Sequence, residues 1–255
     1  MPDDFSPLKK MIYSGRGITV GLTPSGNPFI GYSLTGRSPS SQARKLILDG
    51  KGIRTMPLDE EQLKKGNPLL LLYPAIVSVR DNSMLIASNG AQTNALVKMA
   101  EENKALGPID LFNGAFSSPK IAEGIDLSSY EPDVPNYTPR ISAIAQGDKA
   151  AMFIVRNKNG EQDSDIYPIT FEKGKGKMIT TYLGANEKPA LVSFLGEPFT
   201  IAVRSEKSEE IVESLYAAIK GGWTSDENYR VAAAVMMIKP GGLETAIINR
   251  SERGN

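Results

Sequence analysis

Apolar and small or polar residues alternate early in the chain. Ile18, Val20 and Leu22 stand against Thr19 and Gly21. A period of two is that of a strand with one buried face. The stretch "TPSGN" follows as a turn, with Pro24 at a preset φ and Gly26 free to take positive φ. Phe29–Thr35 reads as the returning strand, so the chain opens on a hairpin. "LLLLY" and "AIVSV" read as strands around Pro74, and "MLIAS" as a strand after a "DNS" turn. The period then changes. Leu96, Met99 and Ala100 predict a helix over Thr93–Ala105, with Gly107 as its stop. Residues 107–139, rich in Pro, Gly and Asp, read as loop with a short helix. Strands resume in "RISAIAQ", "AAMFIVRN", "SDIYPITF", "KMITTYL" and "FTIAVRS". A helix over Ser208–Lys220 stacks Ile211, Leu215 and Ile219 on one face, beside Val212 and Tyr216. Glu209 and Glu210 sit in its favourable first turn, and Gly221–Gly222 end it. "RVAAAVMMI" and "LETAIIN" close the pattern as strands.

Several of the later strands are continuously apolar, which means burial on both faces. Many antiparallel-type strands, few helices and double-sided burial predict two sheets packed together with helices outside, a layered α+β fold. No linker divides the chain and no internal repeat is visible, so one domain over residues 1–255 is expected.

Composition narrows the chemistry. With 40% hydrophobic and 23% charged residues, the chain is an ordinary globular one. Lys plus Arg and Asp plus Glu both number 29, and a net charge of zero argues against a protein that coats nucleic acid or an anionic membrane. There is no Cys, which excludes disulfides, thiol nucleophiles and Cys-ligated metals. There is no His, which excludes a Ser-His-Asp triad and a His-ligated metal. Acid–base work in such a protein falls to Lys, Tyr, Asp or Glu, or to the substrate. "MPDDFSPLKK" lacks the apolar core of a signal peptide, and "PLLLLYPAIVSV" is too short to span a membrane; a cytoplasmic protein is expected.

Four segments carry candidate chemistry. "TGRSPSSQAR" leaves a strand and at once supplies backbone N–H groups, serine hydroxyls and the forks of Arg37 and Arg44, a donor set suited to phosphate. The plainer reading is a polar loop whose Ser and Pro make turns. "NPLLLLYPAI" sets Tyr73 at the end of an apolar run, where it is either core with a satisfied hydroxyl or a proton relay. "ASNGAQTN" joins a strand to a helix at Asn89 and Gly90, as a turn and cap or as a ligand-facing helix start. "YEPDVPNYTPRISAI" packs Glu131, Asp133, Asn136, Thr138 and Arg140 into a Pro-stiffened loop before a strand. Two other stretches fail their patterns: the Gly-Lys text at 173–177 lacks P-loop spacing, and "NKNGEQDSD" misses the calcium-loop register.

Taken in order, "YSGRGITVG", "GYSLTGRSPSSQAR", "NPLLLLY", "SNGAQTNAL" and "YEPDVPNYTPRISAI" resemble the archaeal-type inosine monophosphate (IMP) cyclohydrolase family, across roughly the first 155 residues. This chain resembles a divergent, longer member, with Ser33 where the archaeal pattern has Arg. The resemblance implies a four-layer αββα sandwich of two mainly antiparallel sheets, similar to the N-terminal nucleophile hydrolases but without their nucleophile. It implies closure of the formylated aminoimidazole-carboxamide ribotide (FAICAR) to IMP, the last step of purine synthesis, with no cofactor and no metal. It implies Tyr73 and Glu131 as catalytic groups, one moving a proton and the other orienting or polarising. Arg37, Ser38 and Arg44 would hold the ribose phosphate. Arg16, Thr138 and Arg140 would be further contacts, and Asn89 and Gly90 would read the carboxamide. The implied partner is a purine ribotide rather than nucleic acid or membrane, with a homo-oligomer left open. Two other readings stay open, a purine-ribotide-binding protein without turnover and an amide hydrolase of the same fold.

Overall fold

The computed structural model describes residues 3–65, 67–119, 121–122, 124–184, 192–222, 224 and 226–253. The opening hairpin forms as the pattern predicts, with β1 (Arg16–Leu22) and β2 (Pro28–Thr35) joined through the turn at 23–27. Both faces of β1 are buried, not one, because a helix covers the face that carries Gly17, Thr19 and Gly21. A short helix, α1 (Ser6–Lys9), precedes the hairpin and α2 (Pro39–Gln42) follows it. Next comes a second hairpin absent from the sequence reading, β3 (Arg44–Asp49) and β4 (Gly52–Pro57). Its turn needs Gly50 at φ +58°, where a side chain would be strained.

After α3 (Glu60–Lys64), the "LLLLY" run is not a strand. Pro68–Leu71 forms a single helical turn, α4, because Asn67 accepts a hydrogen bond from the Leu69 N–H and Pro68 stands at the first helical position. The strands β5 (Pro74–Val79) and β6 (Met84–Ser88) follow as expected. Gly107 does not simply stop a helix. The helix α5 (Gln92–Glu102) ends earlier at Asn103, and Gly107 caps α6 (Pro108–Phe116). A two-residue hairpin, β7 (Ile121–Ala122) with β8 (Ile125–Asp126), leads to the later strands. These are β9 (Arg140–Gln146), β10 (Lys149–Lys158), β11 (Glu161–Thr170), β12 (Lys175–Thr180) and β13 (Phe199–Ala202). The helix α7 (Ser208–Ala218) and the hairpin β14 (Arg230–Lys239) and β15 (Gly242–Asn249) complete the order.

Two antiparallel sheets result, one of six strands in the order β13-β12-β1-β2-β14-β15 and one of seven in the order β11-β10-β9-β6-β5-β4-β3. Between them Ile18, Val20, Ile30 and Leu34 meet Ile76, Leu85, Ala143 and Met152 in a common core. Burial of such side chains is worth about 1.5–3 kcal/mol each, so this seam is the main source of stability. On the outer face of the six-stranded sheet, Ile211 and Leu215 of α7 pack on Phe29 and Val235, joined by Phe5 and Leu8 around α1. On the outer face of the other sheet, Leu96 and Phe112 of α5 and α6 pack on Ile86 and Ile144. The order helix–sheet–sheet–helix is therefore a four-layer α+β sandwich. The sheets are also tied at one edge, where Asn249 accepts from the Leu46 N–H (2.8 Å) and donates to the Leu46 carbonyl (2.9 Å). Among the described residues no helix is long and apolar enough to cross a membrane.

Candidate active site

Arg16 opens β1 on the same face as Ile18 and Val20, so strand alternation aims its guanidinium between the sheets. Gly15 makes this entry possible. It sits at φ +71°, and a Cβ there would lie 2.0 Å from Thr181 Oγ1. Its carbonyl accepts from both the backbone N–H and the hydroxyl of Thr35, which locks the bend against β2.

Glu131 arrives from the opposite side. Its N–H donates to the Thr138 carbonyl (2.8 Å), closing the loop 131–138 on itself. Asp133 is the hub of that loop. Its carboxylate accepts from the Thr138 N–H (2.6 Å) and the Thr138 hydroxyl (2.5 Å). Since that hydroxyl donates to Asp133, the Tyr182 hydroxyl donates to it in turn, across 2.7 Å. Glu131 so positioned meets Arg16 in a hydrogen-bonded ion pair, with Arg140 Nη1 at 4.0 Å. All three are at least nine-tenths buried, with relative exposures of 8% for Arg16 and 2% for the other two.

Burial pushes the Glu131 carboxyl above its ordinary value, while the charges of Arg16 and Arg140 pull it back. For Arg16 burial works against the charge, but the Glu131 carboxylate together with Tyr73, Tyr32 and Tyr182 outweighs it, so the guanidinium holds its proton more firmly than usual. Arg16 Nε and Arg140 Nε and Nη2 are buried without partners. Such donors are costly to leave unmet, and a ligand or ordered water that reaches them gains accordingly.

Above this pair lies a cleft of about 490 Å³, a volume in the range of small-molecule sites. Arg16, Glu131 and Thr138 line it, and so do Arg37, Ser38 and Arg44 from the serine-arginine segment. These six residues, drawn from both sheets and from two loops, thus converge on one cleft. The cations along the lining are Arg16, Arg37, Arg44 and Lys65, against the acids Glu131 and Asp133. Arg37 and Arg44 have no carboxylate partner among the described residues. The Arg37 guanidinium rests over the Tyr13 ring at 4.6 Å. Arg44, 1% exposed, donates to the Ser41 and Leu71 carbonyls and pins α2 to α4. Ser38 serves both of its readings: it lines the cleft, and its hydroxyl accepts from the Ser41 N–H as the cap of α2.

Four candidates lie off the lining. Tyr73 is 1% exposed, and its hydroxyl stands 2.9 Å from that of Tyr32. The two form a buried pair under the cleft floor, and both hydroxyls act on the Arg16 guanidinium. Burial, and then the neighbouring Tyr73, push the Tyr32 hydroxyl well above its ordinary value. Asn89 is saturated: its amide donates to the Pro139 carbonyl, and its oxygen accepts from Gln92 and from the Ile141 N–H. Gly90 lies against Arg140, where a Cβ would come within 2.6 Å of Nη1. Arg140, not a surface charge, donates to Gln92 Oε1 at 3.2 Å behind Glu131. Sequence reasoning did not select Tyr13 or Tyr182, which form an aromatic wall with Tyr229 at centroid separations of 5.8 Å. Tyr13 stands three residues before Arg16, in the very stretch that carries the resemblance; Tyr182 has no comparable signal.

Fold and cleft together define an α+β sandwich with a basic cleft of small-molecule size at one end of its paired sheets. The chain belongs to the IMP cyclohydrolase-like family, whose profile, described as "IMP cyclohydrolase-like protein", matches residues 13–242. It is 28% identical over 217 residues to the IMP cyclohydrolase of Methanococcus maripaludis strain C7, covering 83% of this chain and 98% of that protein. It is 26% identical over 237 residues to the IMP cyclohydrolase of Methanocaldococcus jannaschii, covering 92% and 98%. Among the described residues no group of three or more carboxylates is placed to hold a metal ion.

Proposed function

We infer that the protein is an IMP cyclohydrolase, which closes the formylated ribotide FAICAR to IMP with release of water, in a cytoplasmic setting. The observation that carries the site assignment is a cleft in which a buried carboxylate, Glu131, stands with two arginines that have no acidic partner among the described residues. The family match and the names of the relatives support the reaction itself.

In this reading Arg37 and Arg44 grip the phosphate, with Ser38 beside them. That places the rest of the ribotide over Arg16 and Glu131. The carboxamide nitrogen then attacks the formyl carbon of the same molecule, forming a C–N bond while the carbonyl oxygen takes up a proton. The second step breaks the C–O bond, and the ring N–H proton leaves with the hydroxyl as water. Nucleophile and electrophile are already tethered, so the protein gains most by holding them coplanar and away from bulk water. Glu131 is the group placed to take the nitrogen's proton and return one to the departing hydroxyl. Arg16 keeps that carboxylate ionised and oriented, and sets a positive charge beside the oxygen on which charge develops. Tyr73, bonded to Tyr32 beneath Arg16, acts here as a positioning residue.

Purified protein mixed with FAICAR, without metal or cofactor, should form IMP well above the uncatalysed rate. Ribotide binding with no acceleration would leave only a binding protein. Arg37→Ala should weaken ribotide binding by about 1.5–3 kcal/mol, read by calorimetry, since a charge-assisted phosphate contact is lost. Unchanged affinity would remove Arg37 from the phosphate site. Tyr73→Phe should cost about 1 kcal/mol of stability by unpairing the Tyr32 hydroxyl, and should lower kcat while leaving KM nearly unmoved. A Tyr73 that itself bound substrate would raise KM instead.

A further inference from the structure

A second cavity of about 380 Å³ adjoins the first, with Arg44 as the wall common to both. Arg230 and Arg250 also line it, with Gln42 and Ser251 as neutral polar groups, over Leu58 and Val231. Among the described residues no acidic one lines this cavity. A third hollow, about 300 Å³, continues from it past the same Arg230 and Arg250 to Arg253 and Tyr216, with Glu213, the partner of Arg253, as the one acid on its described lining.

The way these arginines are held is informative. Arg44 donates to the Ser41 and Leu71 carbonyls, Arg230 to the Ala217 carbonyl at 3.2 Å, and Arg250 to the Asn228 carbonyl at 2.9 Å. Main-chain oxygens fix the direction of each guanidinium without neutralising it. Among the described residues neither Arg230 nor Arg250 has a carboxylate partner, and Arg230 Nε is buried with no partner at all. Arg253 differs, since it pairs with Glu213. Three fixed, uncompensated cations around one hollow repel one another in the empty protein, and an anion there relieves the repulsion and meets unused donors.

We propose that the run of hollows from Arg44 through Arg250 and Arg230 is a second anion site, for a ligand carrying a chain of two or more phosphates. Two adjoining hollows that share two arginines match a linked row of phosphates better than a single one. Among the described residues the only aromatic ring in the run, Tyr216, has the Arg230 and Arg253 guanidiniums over it at 5.0 and 5.3 Å from its centroid. Among the described residues that leaves no uncovered ring for a base to stack on, and the arginines make the phosphate chain what the site reads. Because Arg44 serves both cavities, the ligand raises the apparent KM for the ribotide; that part rests on the function proposed above, whereas the binding does not.

The test is calorimetric titration of the full chain with inorganic tripolyphosphate, a nucleoside triphosphate and inorganic phosphate. The two triphosphates should bind alike at one site per chain, and single phosphate more weakly. Arg250→Gln keeps a donor for the Asn228 carbonyl while losing the charge, and should weaken tripolyphosphate by about tenfold or more. Arg230→Gln should do the same, with both variants melting near the parent, whereas Arg37→Ala should bind tripolyphosphate as the parent does. No detectable binding, or binding of the nucleotide alone, overturns the proposal. So does a loss in Arg37→Ala as large as that in Arg250→Gln, which would place the anion in the first cleft.

Discussion

Glu131→Gln is expected to lower kcat for ring closure by about 10²–10⁴-fold, the usual worth of a positioned proton-transfer group. The substitution is nearly isosteric, and its amide oxygen still accepts from Arg16, so the cleft should persist and KM should change far less than kcat. The pH profile gives a sharper check. Burial lifts the Glu131 carboxyl above its reference value of 4.5, so the ionised form needed to take a proton appears only above that point. In the parent, kcat/KM should therefore rise with pH through a midpoint higher than an exposed glutamate would give. In Glu131→Gln this limb should vanish. The same shift acts on stability with the opposite sense. A carboxyl with a raised folded-state value favours the folded chain fully below its unfolded value, and that contribution is lost as pH rises through the folded one. The variant should thus lose some of the parent's decline in stability over that window. A full-rate Glu131→Gln enzyme with the limb intact would assign the proton transfer to another group.

Much of the sandwich is legible in the sequence because β9, β10, β14 and α7 bury a continuous or periodic apolar face, which period and Gly boundaries report directly. The β3–β4 hairpin was hidden because it opens on Arg44 and Lys45, which read as the end of a polar loop. Arg44 is in fact buried, held by main-chain carbonyls from two separate segments. No local pattern foretells such a partner. "LLLLY" looks like a strand from its side chains alone, and it is the Asn67 cap that turns it into a helical turn. The site has the same limit. Arg16 and Glu131 are 115 residues apart and Arg16 and Thr181 are 165 apart, so their meeting is a product of sheet order and not of spacing. The family resemblance named both members of the ion pair. It did not reveal that Asn89 is spent on the Pro139 carbonyl and Ile141 N–H, or that Tyr73 sits a layer below the cleft.

Arg16→Met should be the most damaging single change to the fold. The side chain removed is nearly the same length and can fill the space between the sheets, so the effect isolates the charge. What remains is a buried carboxylate whose nearest cation, Arg140, is 4.0 Å away and already shared with Gln92. Breaking a buried pair from one side costs about 3–5 kcal/mol, because the surviving ion is left uncompensated. Chemical denaturation at neutral pH should show a loss of that size. With its strongest cationic neighbour gone, Glu131 should ionise at still higher pH, and the acid limb of kcat/KM should move up with it. The stability loss should shrink as pH falls, since a protonated Glu131 no longer needs Arg16. Adding Glu131→Gln to Arg16→Met should recover part of the lost stability, with a coupling energy of about 0.5–3 kcal/mol between the two sites. Additive effects, or a loss within about 0.5 kcal/mol as at an ordinary surface position, would mean that the pair is solvated and that Arg16 does not hold the carboxylate in its charged form.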